Sequence, residues 1–205
     1  LKGVLRGPSA SFWDETYSAG HWAFLDRLPQ RSRHYAIAGV LRERFPAGAE
    51  VLDVGCGLGT LNRALGEGGS YLGLDISNEA VDRARALHTG RTARFLVADF
   101  MEFVPDAPGD AVILNEMLYY LPLERVEEAV LRAARMVRGG GAVVISMHQN
   151  PKVPSVWKVI DSLGGPARAM EVRDPSTGSS WTVRLYEPQV LMEGWARRKD
   201  VSADE

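Results

Sequence analysis

The sequence predicts an α/β protein built on a doubly wound, mostly parallel sheet, and three observations lead there. From Glu50 onward, short apolar runs alternate with amphipathic stretches, the pattern that strand-helix-strand crossovers leave. A glycine-rich turn, Gly55, Gly57 and Gly59, directly follows the first apolar run, as at the ligand-binding end of such sheets. With 205 residues, 45% hydrophobic and 24% charged, the chain can bury one substantial core. A single domain over residues 1–205 is the expectation.

The strand candidates are Glu50 to Val54, Ser70 to Leu74, Ala93 to Ala98, Ala111 to Leu114 and Ala142 to Met147. Each is short and apolar, as strands buried on both faces are. After the second, Ser77 is placed to cap a helix, Glu79 suits its first turn, and Ile76 with Val81 can form a hydrophobic staple. That helix runs to about His88. Val126, Val130, Ala133 and Val137 make a core-facing stripe, ended by Gly139-Gly140-Gly141.

Before the sheet, residues 9–45 hold two helical stretches with no strand to cross to. One carries Trp13, Tyr17, Trp22 and Phe24, and the other runs from Arg31 to Phe45. They are expected to form a cover over the carboxyl end of the sheet. After the fifth strand, Ser155 to Leu163 reads as a helix. Ala167 to Arg173 and Trp181 to Tyr186 read as an antiparallel hairpin around Asp174-Pro175-Ser176-Thr177-Gly178. The hairpin brings the strand count to seven, and Pro188 to Glu205 reads as a polar tail.

The formal net charge is -2 and the 24 basic residues are scattered, so there is no footprint for a nucleic-acid backbone. A small-molecule partner is expected. The single cysteine, Cys56, excludes an internal disulfide and a cysteine-based zinc cage, and no metal site is expected. No apolar run approaches the roughly 20 residues that span a bilayer, and no signal core is visible. A cytoplasmic setting is expected, with no membrane partner; oligomeric state is not legible. The chain begins at Leu1 rather than Met, which leaves room for residues before it.

The cofactor reading rests on several residues together. Gly55, Gly57 and Gly59 let the backbone turn tightly beside a ligand. Asp75 ends the second strand 20 residues after Gly55, where a carboxylate can accept from both ribose hydroxyls of an adenosine. A nicotinamide or flavin enzyme shares that acidic residue, but its fingerprint wants Gly or Ala at position 60, which is Thr60.

Asp53-Val54-Gly55-Cys56-Gly57-Leu58-Gly59 resembles the first motif of the class I S-adenosylmethionine-dependent methyltransferases. Tyr71 to Ser77, Ala98-Asp99-Phe100 and Asp110 to Asn115 agree with the same family. The resemblance covers about residues 50–148 and implies a Rossmann-like core. It implies that Gly55 and Gly57 lie under the methionine part, Asp75 binds ribose and Asp99 accepts from the adenine amino group. Ile76 and Phe100 would sandwich the adenine, with Asn115 also at the cofactor. Asp53 would hold the turn or the cofactor's ammonium. S-adenosylhomocysteine would be the product.

Methyl transfer from a sulfonium is an in-line displacement, so alignment in a dry site is most of the task. The fourth strand delivers Asn115, Glu116, Met117, Leu118, Tyr119 and Tyr120 to the reacting edge. Glu116 is a base candidate, or a carboxylate bonded to a loop or to the cofactor's ammonium. His148, after the fifth strand, is the other base candidate, or a structural or substrate-orienting group. Tyr119 and Tyr120 line the pocket, with one of them expected in the core. Trp13, Tyr17 and Trp22 can close over a sulfonium, and Tyr17 and Arg33 can reach the cofactor's carboxylate.

The Asn/Asp-Pro-Pro-Tyr/Phe motif of many amine methyltransferases acting on nucleic acids and proteins is absent; Asn115-Glu116-Met117-Leu118 stands in its place. The remaining expectation is methylation of oxygen or nitrogen on a small metabolite, of the natural-product kind. Two other readings stay open: a nicotinamide-dependent oxidoreductase, and a binding or regulatory module that keeps the cofactor pocket without catalysis.

Overall fold

The computed structural model describes residues 7–66, 68–89 and 92–203. Its sheet has seven strands: β1 (Glu50–Val54), β2 (Ser70–Asp75), β3 (Ala93–Val97), β4 (Gly109–Asn115), β5 (Val137–His148), β6 (Arg168–Arg173) and β7 (Ser180–Tyr186). They lie in the order β3-β2-β1-β4-β5-β7-β6. β1 to β5 pair in parallel, β7 is antiparallel to β5, and β6 is antiparallel to β7. The doubly wound sheet and its terminal hairpin are as the sequence predicts. The strand order reverses between β1 and β4, so a crevice opens there at the carboxyl ends.

Two helices precede the sheet, α1 (Ala10–Ser18) and α2 (Leu28–Arg44), with a 3-10 turn at Ala23–Asp26 between them. The Ser9 hydroxyl caps α1 by accepting from the Phe12 N–H at 3.3 Å. Trp22 and Phe24 therefore lie outside the first helix that was expected to carry them. The chain leaves α1 at Ser18 and turns at Gly20, whose φ is +74°.

The crossover helices are α3 (Thr60–Leu65), α4 (Asn78–Leu87) and α5 (Leu123–Arg135). Ser77 caps α4 as expected, accepting from the Ala80 N–H at 3.1 Å. Val126, Val130 and Ala133 of α5 are fully buried. The expected stripe ends sooner than the glycines suggest, because Val137 already pairs with Gly109 as the first residue of β5. Met136 closes the helix with a 3.1 Å bond to the Ala133 carbonyl. The glycines thus belong to the strand, and Gly141 has a reason: a Cβ there would stand 2.4 Å from the Asp110 carbonyl oxygen.

After β5 comes α6 (Val153–Asp161), and after the hairpin comes α7 (Pro188–Ala203). The expected polar tail over Pro188 to Glu205 is corrected by this last helix. Leu191 is fully buried, and Met192 and Trp195 pack on the core beside α5 and α6. Such burial, not intrinsic propensity, fixes most helices. Gly194 lets α7 approach α6, since a Cβ there would come 1.5 Å from the Leu163 carbonyl oxygen. Apolar residues of α5, α6 and α7 fill one face of the sheet, and residues of α2, α3 and α4 fill the other. Among the described residues, no helix is long and apolar enough to cross a membrane.

Candidate active site

A cavity of about 1030 Å³ opens at the carboxyl edge where the strand order reverses. Its floor begins with the glycine turn after β1. Gly55, Gly57 and Gly59 all have positive φ, +68°, +52° and +68°, which only glycine adopts without strain. The turn is tied to β2: the Cys56 N–H donates to the Leu74 carbonyl at 2.9 Å, and the Gly57 N–H to Asp75 Oδ2 at 2.8 Å. The other carboxylate oxygen of Asp75 accepts from the Ser77 N–H at 2.9 Å. Burial pushes the Asp75 carboxyl up while these backbone donors hold it down. Its remaining lone pairs are available for ligand hydroxyls.

Ile76, Asp99 and Phe100 line the same end of the cavity. Asp99 is exposed, with Oδ1 accepting from the Met101 N–H at 2.8 Å. The Phe100 segment is held from α5 by Arg132, whose Nε donates to the Phe100 carbonyl at 2.7 Å and whose Nη2 donates to the Phe103 carbonyl. A carboxylate and two apolar side chains at one end, with Asp75 between them and the glycine turn, make a seat for an adenosine.

The N-terminal cover also borders the cavity. Asp14, which the sequence reading missed, pins the cover to the start of α4: its Oδ1 accepts from the Ser77 hydroxyl at 2.6 Å and from the Glu79 N–H at 3.1 Å. Tyr17 is buried against the turn, so that a Cβ on Gly57 would stand 2.6 Å from the phenol oxygen. Trp22 donates through Nε1 to Thr16 Oγ1 at 3.0 Å and lies 5.7 Å from Trp13, ring centre to ring centre. Trp13 meets Tyr120 edge-on at 4.9 Å. This aromatic wall excludes water and presents ring faces to a cation.

At the reacting edge the backbone of Glu116 is left-handed, with φ +61°, and among the described residues it alone is so without being glycine. Strain of this kind persists where the surroundings fix it, often at functional sites. Here the Glu116 N–H donates to the Ser146 carbonyl at 2.8 Å, and Oε2 accepts from the Tyr119 hydroxyl at 2.7 Å. Oε1 is buried without a partner, as is Oδ1 of Asn115. Burial raises the Glu116 carboxyl above its ordinary range, while Arg33 and Tyr119 pull it back.

Arg33 reaches this edge from α2. It is 2% exposed, donates through Nη1 to the Gln30 carbonyl at 3.1 Å and to the Gln30 side chain, and lies 5.6 Å from the Trp181 ring centre. Its Nε has no partner. The unpartnered Nε of Arg33 and Oδ1 of Asn115 suit the carboxylate and the ammonium of an amino-acid group. His148 stands edge-on to Trp181 at 5.4 Å, and burial with Arg33 nearby lowers its tendency to charge. A neutral imidazole there can accept a proton.

Residues 52–145 match the family model described as a methyltransferase domain. Over these residues the chain is similar to methyltransferase domains. A curated relative, the ubiquinone biosynthesis O-methyltransferase of Dechloromonas aromatica, is 35% identical over 112 residues, covering 52% of this chain and 47% of the relative. The chain thus spans about half the length of the curated relative it matches. Among solved structures, the N-methyltransferase NodS from Bradyrhizobium japonicum with S-adenosyl-L-homocysteine is similar in fold. Its TM-score is 0.69 at 15% identity, over 84% of this chain and 97% of NodS. The 1,6-didemethyltoxoflavin-N1-methyltransferase of Burkholderia thailandensis gives 0.69 at 18% identity, over 86% and 85% of the two chains.

Nearly every candidate residue borders the same cavity: Trp13, Tyr17, Trp22, Arg33, Gly55, Gly57, Asp75, Ile76, Asp99, Phe100, Asn115, Glu116, Tyr119, Tyr120 and His148. Asp53 does not. It is buried beneath the turn, where Oδ2 accepts from the Tyr71 hydroxyl of β2 at 2.5 Å and Oδ1 has no partner. Burial pushes its carboxyl up to about 7, against the opposing pull of the Tyr71 bond.

Of the two tyrosines, Tyr119 packs on the core, yet both border the cavity. The short 3-10 turn Leu118–Tyr120 places both rings on the cavity, 4.7 Å apart, while Leu118 takes the fully buried position. The sequence reading also missed His34. It borders the cavity 1% exposed with neither ring nitrogen bonded, and burial beside Arg33 and Arg31 pushes its pKa down to about 3. No local pattern around His34 signals this. Among the described residues, no group of three or more His, Cys, Asp or Glu is placed to hold a metal ion.

Proposed function

We propose that the chain transfers a methyl group from S-adenosylmethionine to an oxygen or nitrogen of a small acceptor. The observation that carries this reading is one cavity bordered by Gly57, Asp75 and Phe100 and also by Glu116 and His148. Its volume, about 1030 Å³, stands at the upper end of the about 300–1,000 Å³ usual for ligand pockets.

Asp75 orients the ribose, and Asp99 with Phe100 and Ile76 receives the adenine. Arg33 and Asn115 meet the amino-acid end. When bound, the sulfonium supplies an electrophilic methyl group. Tyr17, Trp13 and Trp22 keep water from it. Glu116 or His148 takes the acceptor's proton where the acceptor is a hydroxyl or an ammonium. The cover and aromatic walls suit a partly aromatic metabolite of the kind decorated in natural-product biosynthesis, and the single buried thiol suits a reducing cytoplasm.

Incubation with S-adenosylmethionine labelled in the methyl group, against a panel of small phenols and amines, tests the reading. Label is expected in at least one acceptor, and at limiting S-adenosylmethionine about tenfold less or lower when Asp75→Ala replaces the native protein. Label appearing only in water-derived methanol, with every phenol and amine untouched, contradicts it.

A further inference from the structure

The tethers described so far hold the glycine turn from the sheet side only. A second attachment comes from the far end of α4. His88, 5% exposed, places Nε2 3.2 Å from the Leu58 carbonyl oxygen and Nδ1 3.3 Å from the Asn62 side-chain nitrogen. A carbonyl oxygen only accepts, so Nε2 carries the hydrogen and Nδ1 accepts from the Asn62 amide. The tautomer is thereby fixed. The ring lies against Phe95, centre to centre 5.2 Å and tilted by 36°. Together the two rings occupy the space where a Cβ on Gly59 would lie, 2.5 Å from Phe95 Cε1 and 3.0 Å from His88 Nε2.

Asn62 sits in the first turn of α3, and its own N–H donates to the Gly59 carbonyl at 3.1 Å. His88 thus joins three pieces: the middle of the turn, the start of α3 and the end of α4. It does not border the cavity, whereas Gly57 and Leu58 do.

We propose that His88 is a positioning residue for the cofactor, clamping Leu58 from the helix side while β2 holds Gly57 from the sheet side. The inference rests on the S-adenosylmethionine reading above. Without the clamp, the Leu58 half of the turn is free to shift against Asp75, and the cofactor loses a preformed surface though no group touching it has been removed. The clamp's effect belongs to binding, through one neutral hydrogen bond and the order it imposes.

Calorimetric titration of S-adenosylhomocysteine into the wild type, His88→Phe and His88→Gln, with the melting temperature of each ligand-free protein, tests this. His88→Phe should bind about tenfold more weakly, and His88→Gln, whose amide N–H can still reach Leu58, should recover to within about threefold of the wild type. A residue needed only for folding would lower the melting temperature of both variants and leave the affinity of the folded protein alone. Folded His88→Phe with wild-type affinity overturns the proposal, as does a glutamine variant no better than phenylalanine. If His88→Phe does not fold, Asn62→Leu, which keeps the imidazole but removes the donor that fixes it, decides the matter: several-fold weaker binding supports the clamp and wild-type affinity overturns it. A wild type that binds no S-adenosylhomocysteine overturns the cofactor reading itself.

Discussion

The Tyr119 hydroxyl donates to Oε2 of Glu116 at 2.7 Å, across a 3-10 turn that begins where Glu116 holds a left-handed backbone. The bond stabilises the carboxylate form, opposing the burial that favours the neutral form. Tyr119→Phe removes that support, so the Glu116 carboxyl should titrate at higher pH. If Glu116 is the base, the acid limb of the kcat profile moves upward in pH and turnover at neutral pH falls several-fold. An unchanged profile assigns proton removal elsewhere, with His148 the next residue to replace.

Glu116→Gln separates chemistry from binding. Loss of a positioned base lowers turnover by about 100-fold or more, with S-adenosylhomocysteine affinity within about threefold of the wild type. Titration calorimetry beside single-turnover kinetics reads both. A collapse of affinity instead reassigns Glu116 to the cofactor's ammonium.

Asp75→Ala should weaken S-adenosylhomocysteine binding by roughly 10- to 100-fold, the worth of hydrogen bonds to one charged group. The variant loses the partners of the Gly57 and Ser77 N–H groups as well as the ribose acceptor. Equal affinity in mutant and wild type would place the ribose elsewhere.

Asp53 gives a pH-dependent stability of unusual sign. Its carboxyl is raised from 3.8 to about 7 in the fold, so between those values the native state keeps a proton that the unfolded chain has released. The resulting stabilisation is present at low pH and is lost as pH rises toward 7. Asp53→Asn does not titrate. Its melting temperature relative to the wild type should therefore rise between pH 5 and pH 8, by at least about 2 °C; parallel curves would show Asp53 ionised throughout.

The local parts of this fold are legible in the sequence because neighbours in the chain make them. Ser77 caps α4 from within one turn, and the glycine turn with Asp75 is set by the ends of adjacent strands. Tertiary contacts leave no such trace. Asp14 meets Ser77 across 63 residues, and His88 meets Leu58 across 30. The α7 helix was hidden differently: its charged residues and Gly194 read as a tail, although Leu191 and Trp195 already marked a buried face at helical spacing.

Gly194→Ala tests that last point. The added methyl would meet the Leu163 carbonyl oxygen, so the variant should lose about 1–3 kcal/mol or more in denaturant unfolding. Wild-type stability would show that α7 does not lie against Leu163.

The central claim is that the cavity at the β1–β4 reversal is built for an adenosyl sulfonium rather than a dinucleotide. Calorimetric titration of the wild-type protein with S-adenosylhomocysteine and, separately, with NADH tests it most directly. Saturable one-to-one binding of S-adenosylhomocysteine, micromolar or tighter, with no measurable NADH binding, is the predicted result. Saturable binding of NADH with none of S-adenosylhomocysteine would contradict it.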